Sequence, residues 1–325
     1  MLPFSLERAN SIEAAIAVAA SGGRFIAGGT TLVDLMRDEV ERPARLIDIN
    51  SLPLEGIRVE GQELVIGALA RMSEVAANAD VRRHHPLIAE SLIEGASPQI
   101  RNLASMGGNL LQRARCPYFR MLDAPCNKRT PNSGCSALHG LNAGSAILGT
   151  SDYCVATHPS DVAVALVALE ATMRVRGPKS ERTFPVEQLF RLPNDTPHLE
   201  HTILPSELIM DIRVPIGPRG QNARYLKVRD RASYEFALVS AAVALTQENG
   251  LLKHVRIAVG GVGTKPWRLQ SCEAALIGKK LDRESIEQAA QLSLRGTRPL
   301  EHNHYKVDLL PRTIVRALEM AGGLS

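Results

Sequence analysis

Aromatic side chains are scarce in this chain of 325 residues, at 4%, and tryptophan occurs once. Charge of one sign does not dominate either, with 38 Lys and Arg against 34 Asp and Glu. The basic residues are scattered among acidic ones and form no run interleaved with aromatics, so nucleic acid is not an expected partner. No segment approaches ~18 consecutive apolar residues, which excludes a helical membrane span. The opening "MLPFSLERANSIEAA" has neither a basic start nor an apolar core. The chain is therefore expected to lack a secretory signal of its own and to fold in the cytosol, with export as a passenger on a partner left open. Cysteine is the last scarcity: five in all, yet Cys116, Cys126, Cys135 and Cys154 share one stretch. In a reducing compartment such clustering points to metal or redox chemistry before disulfides.

What is present is ordinary globular composition, 45% hydrophobic and 22% charged. The length exceeds what one core usually serves, so two or three domains are expected. "SIEAAIAVAASGG" reads as a helix capped by Ser11 and ended by a Gly pair. "RFIAGG" and "ARLIDIN" read as short strands around a helix in "TTLVDLMRDEV", and "IRVEGQELVIGALA" as a hairpin about Glu60-Gly61. "SEVAANADVRRHHPLIAESLIEGA" is helical with a break at Pro86, and "SDVAVALVALEA" is an amphipathic helix. "ATMRVRG", "RTFPVEQLF" and "ELIMDIRVP" read as strand, short turn and strand. Beyond "IGPRGQNARY" the character shifts: two long strands joined at Glu248-Asn249-Gly250, then helices in "LQSCEAALIG", "DRESIEQAAQLSLRG" and "PRTIVRALEMAGG". The reading is a nucleotide-type α+β region over 1–218 and a smaller α+β domain over 219–325.

Two glycine-bearing turns stand out. In "RFIAGGTTLVDLM" a strand, a Gly-Gly-Thr turn and a helix follow one another. Glycines permit φ > 0 and let a ligand approach where a Cβ would block it. Free N–H groups at a helix start suit a phosphate. The stretch is not GxGxxG, and no acidic residue sits at the matching distance, which disfavours a nicotinamide Rossmann site. A tight structural connection is the plainer reading of this turn, and of "ASMGGNLLQ", the second Gly-Gly turn. Two such turns in one half of the chain fit a dinucleotide, whose pyrophosphate and rings need several backbone cradles.

The clustered cysteines read as C-x9-C-x8-C-x18-C, in a stretch with no usable period. Zinc ribbons use paired short CxxC spacings, and bacterial ferredoxins a C-x2-C-x2-C run; both are absent. Loose spacing fits a loop wrapping a cuboidal iron–sulfur cluster, and thiolates suit such soft metals. Arg113, Arg115, Lys128 and Arg129 are expected to favour the anionic thiolates. A structural Zn²⁺ site and disulfides or free thiols remain open on spacing alone. Cys272 lies on a predicted helix face and reads as a core residue.

"RFIAGGTTLVDLM", "ASMGGNLLQ", "THPSDVAVALVAL", "LKVRDRASYEFALVSAAVAL" and "VRIAVGGVGTKPWR" together resemble the FAD-binding (medium) subunits of the xanthine dehydrogenase / molybdenum hydroxylase family, in the family's order. The cysteine stretch, about 112–155, resembles an insertion found in subunits of the bacterial periplasmic aldehyde oxidoreductase type, which carries an extra [4Fe-4S] cluster. The resemblance implies an α+β fold: a two-subdomain FAD-binding domain of vanillyl-alcohol-oxidase (PCMH) type, then a C-terminal domain like that of CO dehydrogenase flavoproteins. By matching position, Arg24, Phe25, Ile26, Ala27, Gly28, Gly29, Thr30, Thr31 and Leu32 would cradle the FAD pyrophosphate, with Ser105, Gly108 and Asn109 as the second loop. Asp161 would sit in the flavin pocket, Ile209 against a ring system and Lys227 near the isoalloxazine. Cys116, Cys126, Cys135 and Cys154 would hold the cluster.

The implied function is electron transfer in a heterotrimer that oxidises aldehydes to carboxylic acids. A large subunit would hold the molybdenum cofactor and a small one the [2Fe-2S] clusters; this chain would pass electrons to an external acceptor, in the periplasm or alternatively the cytoplasm. Lys227 is expected to stabilise a reduced, anionic flavin. Other molybdenum hydroxylases (xanthine, CO or aromatic acyl-CoA type), a stand-alone flavin oxidoreductase and a zinc-stabilised scaffold are the competing readings.

Overall fold

The computed structural model describes residues 1–217 and 222–324. The expected boundary between 218 and 219 lies outside the described residues. Strands β1 (Ser5–Arg8), β2 (Arg24–Ile26) and β3 (Arg45–Asp48) form a parallel sheet in the order β1-β3-β2, with helices α1 (Ile12–Ala20) and α2 (Leu32–Arg37) as crossovers. Ser11 caps α1 as its sequence predicts, its Oγ accepting from the Ala14 N–H at 3.1 Å. Gly23 cannot carry a side chain, because a Cβ there would press on Ile47 and Val18.

Strands β4 (Ile57–Glu60) and β5 (Glu63–Gly67) make the expected hairpin, with Gly61 at φ 58. Five short helices follow: α3 (Met72–Ala77), α4 (Ala79–His84), α5 (Pro86–Glu94), α6 (Pro98–Leu103) and α7 (Met106–Leu110). The expected single break at Pro86 is two breaks, because Asn78 leaves helical geometry to cap α4 through its Oδ1. α8 (Pro117–Arg120) lies in the cysteine stretch, and α9 (Asp161–Ala168) follows it. Then β6 (Thr172–Arg176), β7 (Glu181–Pro185) and β8 (Leu208–Pro215) complete an antiparallel sheet ordered β4-β5-β8-β6-β7. In "RTFPVEQLF", read as a short turn, residues through Pro185 belong to strand β7, and only Val186–Leu189 turns.

The C-terminal unit is an antiparallel sheet ordered β12-β11-β10-β9, from β9 (Asn222–Val228), β10 (Val239–Glu248), β11 (Leu251–Gly260) and β12 (Trp267–Arg268). Helices α10 (Gln270–Leu276), α11 (Arg283–Gln291) and α12 (Tyr305–Gly322) follow it. The last helix, expected to open at Pro311, begins earlier, at Tyr305, so Pro311 lies within α12. The sheet is buried on both faces, and the alternation in β10 shows how. Val239, Ala241, Val243 and Leu245 join the core with α10, α11 and α12, whereas Ala242 and Ala244 join the core containing α5 and α9. Small residues face the other domain, so helix and sheet approach closely. α9, expected to be amphipathic, is therefore buried along its whole length.

Candidate cofactor sites

The two glycine turns meet. A Cβ on Gly28 would collide with the Leu103 carbonyl, so only glycine lets the first loop lie against the segment leading into α7. Gly29 sits at φ 70 and turns the chain into α2. No side-chain hydrogen bond from Thr31 caps α2, so that helix start carries no cap of its own. The second stretch, "ASMGGNLLQ", is a helix start rather than a turn. Ser105 Oγ accepts from the Gly108 N–H at 3.2 Å and caps α7, so this hydroxyl is used internally. Asn109 accepts from Ser160 Oγ at 2.5 Å, and Ser160 caps α9.

Two residues that sequence reasoning missed fasten the loops together. Arg71 donates to Leu103 O at 2.6 Å and to Asn50 Oδ1 at 2.8 Å, while Asn50 Nδ2 donates to Ala27 O at 3.1 Å. Neither lies in a glycine motif, so nothing local marked them. Arg24, Phe25, Ile26, Ala27, Thr30 and Leu32 surround the first loop and range from half-buried to exposed. Backbone amides of a half-buried glycine loop beside an uncapped helix start fit a pyrophosphate.

Asp161 and Lys227 are brought together. Lys227 Nζ lies 2.9 Å from Asp161 Oδ2 and 3.0 Å from the Glu94 carbonyl, and Tyr225 Oη donates to Asp161 Oδ1 at 2.6 Å. Burial pushes the Asp161 carboxyl up, while Lys227 and the Tyr225 hydroxyl pull against it. The lysine side chain is 1% exposed. Its charge is thus matched by Asp161, and the pair clamps β9 to α9 across the two domains. Ile209 lies in β8 beside a register shift in its pairing with β6, in the core of the five-stranded sheet.

The four clustered cysteines are free thiols that line one cavity, with Tyr118, Phe119, Asn127 and Lys128 among its other walls. Cys126 and Cys135 pair across a short antiparallel bridge. No disulfide joins them. Among the described residues, no three His, Cys, Asp or Glu side chains converge as a set for one metal ion. A zinc site needs four sulfurs ~2.3 Å from a single ion. A polynuclear cluster takes one thiolate per metal atom, so its ligands stand farther apart around a common space. Four thiols around one cavity are donors of the soft type that an iron–sulfur cluster takes.

The expected activation by basic neighbours is not found at Cys116 or Cys135. Burial pushes the Cys116 and Cys135 thiols up, and Cys154 up to about 11, where Lys128 opposes the shift without cancelling it. The cations have other partners. Arg113 binds Glu200 and Glu41, Arg115 binds Asp34, and Arg129 donates to the Tyr118, Phe119, Leu122 and Ala124 carbonyls. Lys128 binds Glu200 at 3.1 Å and the Pro197 carbonyl at 3.0 Å. Burial pushes Glu200 up, but Lys128 and Arg113 outweigh it and hold the carboxyl at about 2. A second cavity adjoins the first through Lys128, Cys154 and Ala156, and His158 and His201 line it. Burial drives these imidazoles down, to about 3 and about 4.

Loop geometry and fold together define a flavin-binding class of protein. Residues 2–217 match the FAD binding domain in molybdopterin dehydrogenase, and residues 224–321 match the CO dehydrogenase flavoprotein C-terminal domain. The chain belongs to the FAD-binding medium subunits of the molybdenum hydroxylase family, an oxidoreductase family. It is 43% identical over 325 residues to the aldehyde oxidoreductase FAD-binding subunit PaoB of Escherichia coli (strain K12), covering 99% of each chain. It is 28% identical to the carbon monoxide dehydrogenase medium chain of Hydrogenophaga pseudoflava, covering 93% of this chain and 90% of that one. A solved carbon monoxide dehydrogenase structure from that organism superposes with a TM-score of 0.78 at 26% identity, covering 100% of this chain and 99% of that one. No helix among the described residues is long and apolar enough to cross a membrane.

Proposed function

We propose that this chain is the FAD- and [4Fe-4S]-bearing electron-transfer subunit of a heterotrimeric molybdenum enzyme that oxidises aldehydes to carboxylic acids. The observation that carries the reading is the meeting of Cys116, Cys126, Cys135 and Cys154, all free thiols, on one cavity. Full-length similarity to an aldehyde oxidoreductase subunit supports the substrate class. The partners in this reading are a large molybdenum-cofactor subunit and a small [2Fe-2S] subunit, and the complex works in the periplasm as a passenger of a partner's export signal.

A bound flavin supplies the two-electron to one-electron exchange, and a bound cluster one-electron transfer; the protein supplies binding and electrostatics. The loop Arg24–Leu32 offers backbone amides to the pyrophosphate; Gly28 lets it lie against the Leu103 carbonyl and Gly29 supplies the turn into α2. Ser105, Gly108 and Asn109 shape the second segment, which Arg71 and Asn50 fasten against it. Asp161 and Lys227 fix the two domains around the ring end as a charge-matched pair, which weakens the expectation that Lys227 alone stabilises a reduced flavin. Ile209 packs the sheet behind this region.

The test is purification of the tagged chain under anaerobic conditions from cells expressing it with its genomic neighbours. The reading expects molybdenum in the purified complex, bleaching of the flavin band by an aromatic or aliphatic aldehyde, and none by xanthine. A yellow, molybdenum-free chain that turns over a small substrate alone overturns it.

A further inference from the structure

The helix that opens from the first glycine loop rests on the cysteine insertion. α2 has six residues, too few to be stable alone. Its inner residue Leu35 packs with Phe119 and Cys126, and Val40 and Cys116 pack against that cluster. Two of the four clustered cysteines therefore belong to the small core beneath α2. Its polar side is tied as well. Arg120 donates to Asp34 Oδ2 at 2.6 Å and to Asp38 Oδ2 at 2.7 Å, and Arg115 donates to Asp34 Oδ2 at 3.0 Å. Just past α2, Glu41 accepts from Arg113 at 2.6 Å and stands 3.6 Å from Arg24, the residue that opens β2 before the glycine loop. The loop is thus gripped on both sides by the entrance of the insertion.

The exit of the insertion is anchored elsewhere. Lys306 Nζ donates to the Ser145 carbonyl at 2.9 Å and to the Gly261 carbonyl at 2.7 Å, and Asn303 Nδ2 donates to Ser145 O at 3.1 Å. With its far end fixed to the C-terminal domain, the insertion does not simply drift with α2. Exposed ion pairs contribute little; here the arginines are mostly covered while Asp34 and Asp38 are half-exposed, and the apolar contact of Leu35 with Phe119 and Cys126 carries the larger share.

We propose that the cysteine cavity and the first glycine loop are energetically coupled through α2, with Arg120, Asp34 and Asp38 as positioning residues, so that a group held by the four cysteines tightens FAD binding and bound FAD tightens retention of that group. The proposal rests on the cofactor reading above and goes beyond it by stating how the two sites communicate. Fixing Cys116 and Cys126 fixes Phe119 and Leu35, and thereby the amides at the start of α2. Metal-coupled ordering of a loop is a folding free energy, and coupling between two bound groups is reciprocal.

The experiment measures the rate of FAD release, by recovery of free-flavin fluorescence, and iron content in the same samples of the intact complex. Six samples are compared: wild type as purified, wild type stripped of iron by anaerobic chelation, the Asp34→Ala/Asp38→Ala double variant with and without stripping, and Cys126→Ser beside a Cys272→Ser control. Stripping the wild type is expected to speed FAD release about 10-fold, within the usual range of coupled sites. In the double variant the ratio between stripped and loaded protein falls to within about 2-fold. A merely structural weakening would speed release in both states and leave the ratio unchanged, which would overturn the role of the aspartates. Stripped wild type that releases FAD as slowly as loaded protein overturns the coupling. If wild type contains no iron, the [4Fe-4S] reading fails by itself. Cys126→Ser then decides the coupling: faster release than Cys272→Ser supports it, and equal release overturns it.

Discussion

The β10–β11 hairpin and the cysteine insertion hold their shapes by opposite means. In the hairpin, alternate side chains enter two different cores, and an antiparallel ladder runs from the Ser240/Gly260 pair to the Glu248/Leu251 pair with one register shift at Thr246/Gln247. The insertion has almost no ladder. Its backbone pairs mainly in short turns, side chains take further carbonyls, Arg129 alone serving those of Tyr118, Phe119, Leu122 and Ala124, and its cations are paired to carboxylates on distant segments. A segment ordered by apolar periodicity holds itself together. One ordered by a few long-range ties depends on what those ties, and anything bound between them, contribute.

The sharpest way to break the comparison is to remove a large, fully buried side chain from each region. Phe119→Ala is expected to cost ~3–5 kcal/mol, because Phe119 is fully buried beneath α2. The loss should appear first in hydrogen exchange over residues 112–155 and 28–40, with the hairpin still protected. Leu245→Ala, expected to cost ~2–5 kcal/mol, should instead lower the urea midpoint of the C-terminal unit as a whole. Uniform loss of protection in both variants would mean the two regions are not held separately. Next in size is Ala242→Leu, which fills the close contact between the hairpin and the other domain and is expected to cost ~1–3 kcal/mol. Ala241→Leu on the opposite face tests whether the cost belongs to that contact. At the small end, Ser11→Ala should cost ~1 kcal/mol by uncapping α1, measured as a shift in urea midpoint with no change in flavin content.

Acid gives a graded version of the same comparison. His158 and His201, beside the insertion, are held near 3 and 4, below the ~6.5 of an unfolded imidazole. The unfolded chain therefore binds more protons between those values, and stability contributed by the neutral imidazoles is complete above pH ~6.5 and lost as pH falls toward ~4. Glu200 acts lower down, losing its contribution from pH ~4.5 toward ~2. Urea midpoints measured from pH 7 downward should decline across the first window. In His158→Phe with His201→Phe the slope there should flatten, and an unchanged slope would show that other groups cause it.

How much of this was readable in the sequence follows the same division. Apolar period and turn residues placed α1, β2, α2, β3, the β4–β5 hairpin and the β10–β11 hairpin, because in these the local pattern and the core agree. α9 read as amphipathic because its sequence cannot reveal that a second sheet covers its other face. "ASMGGNLLQ" read as a turn because two glycines hide a helix start that Ser105 caps. The glycines at 28 and 29, and the clustering of cysteines, were visible as composition. The partners that organise them were not: Asn50, Arg71, Asp34, Asp38, Glu41 and Glu200 act over long sequence separations and carry no local signature. The same blindness produced the expectation that basic neighbours acidify the thiols. Proximity in sequence brought four cations near the cysteines, but each carries its own partners, and burial dominates.

The central claim, that the four cysteines share a polynuclear iron centre beside a bound flavin, meets its most direct test in chemical and magnetic analysis of anaerobically purified protein. Iron and acid-labile sulfide in equal amounts together with FAD, and an EPR signal on reduction that disappears in Cys126→Ser, are the expected result. Stoichiometric zinc with no iron or sulfide, in protein that still carries its flavin, would contradict it.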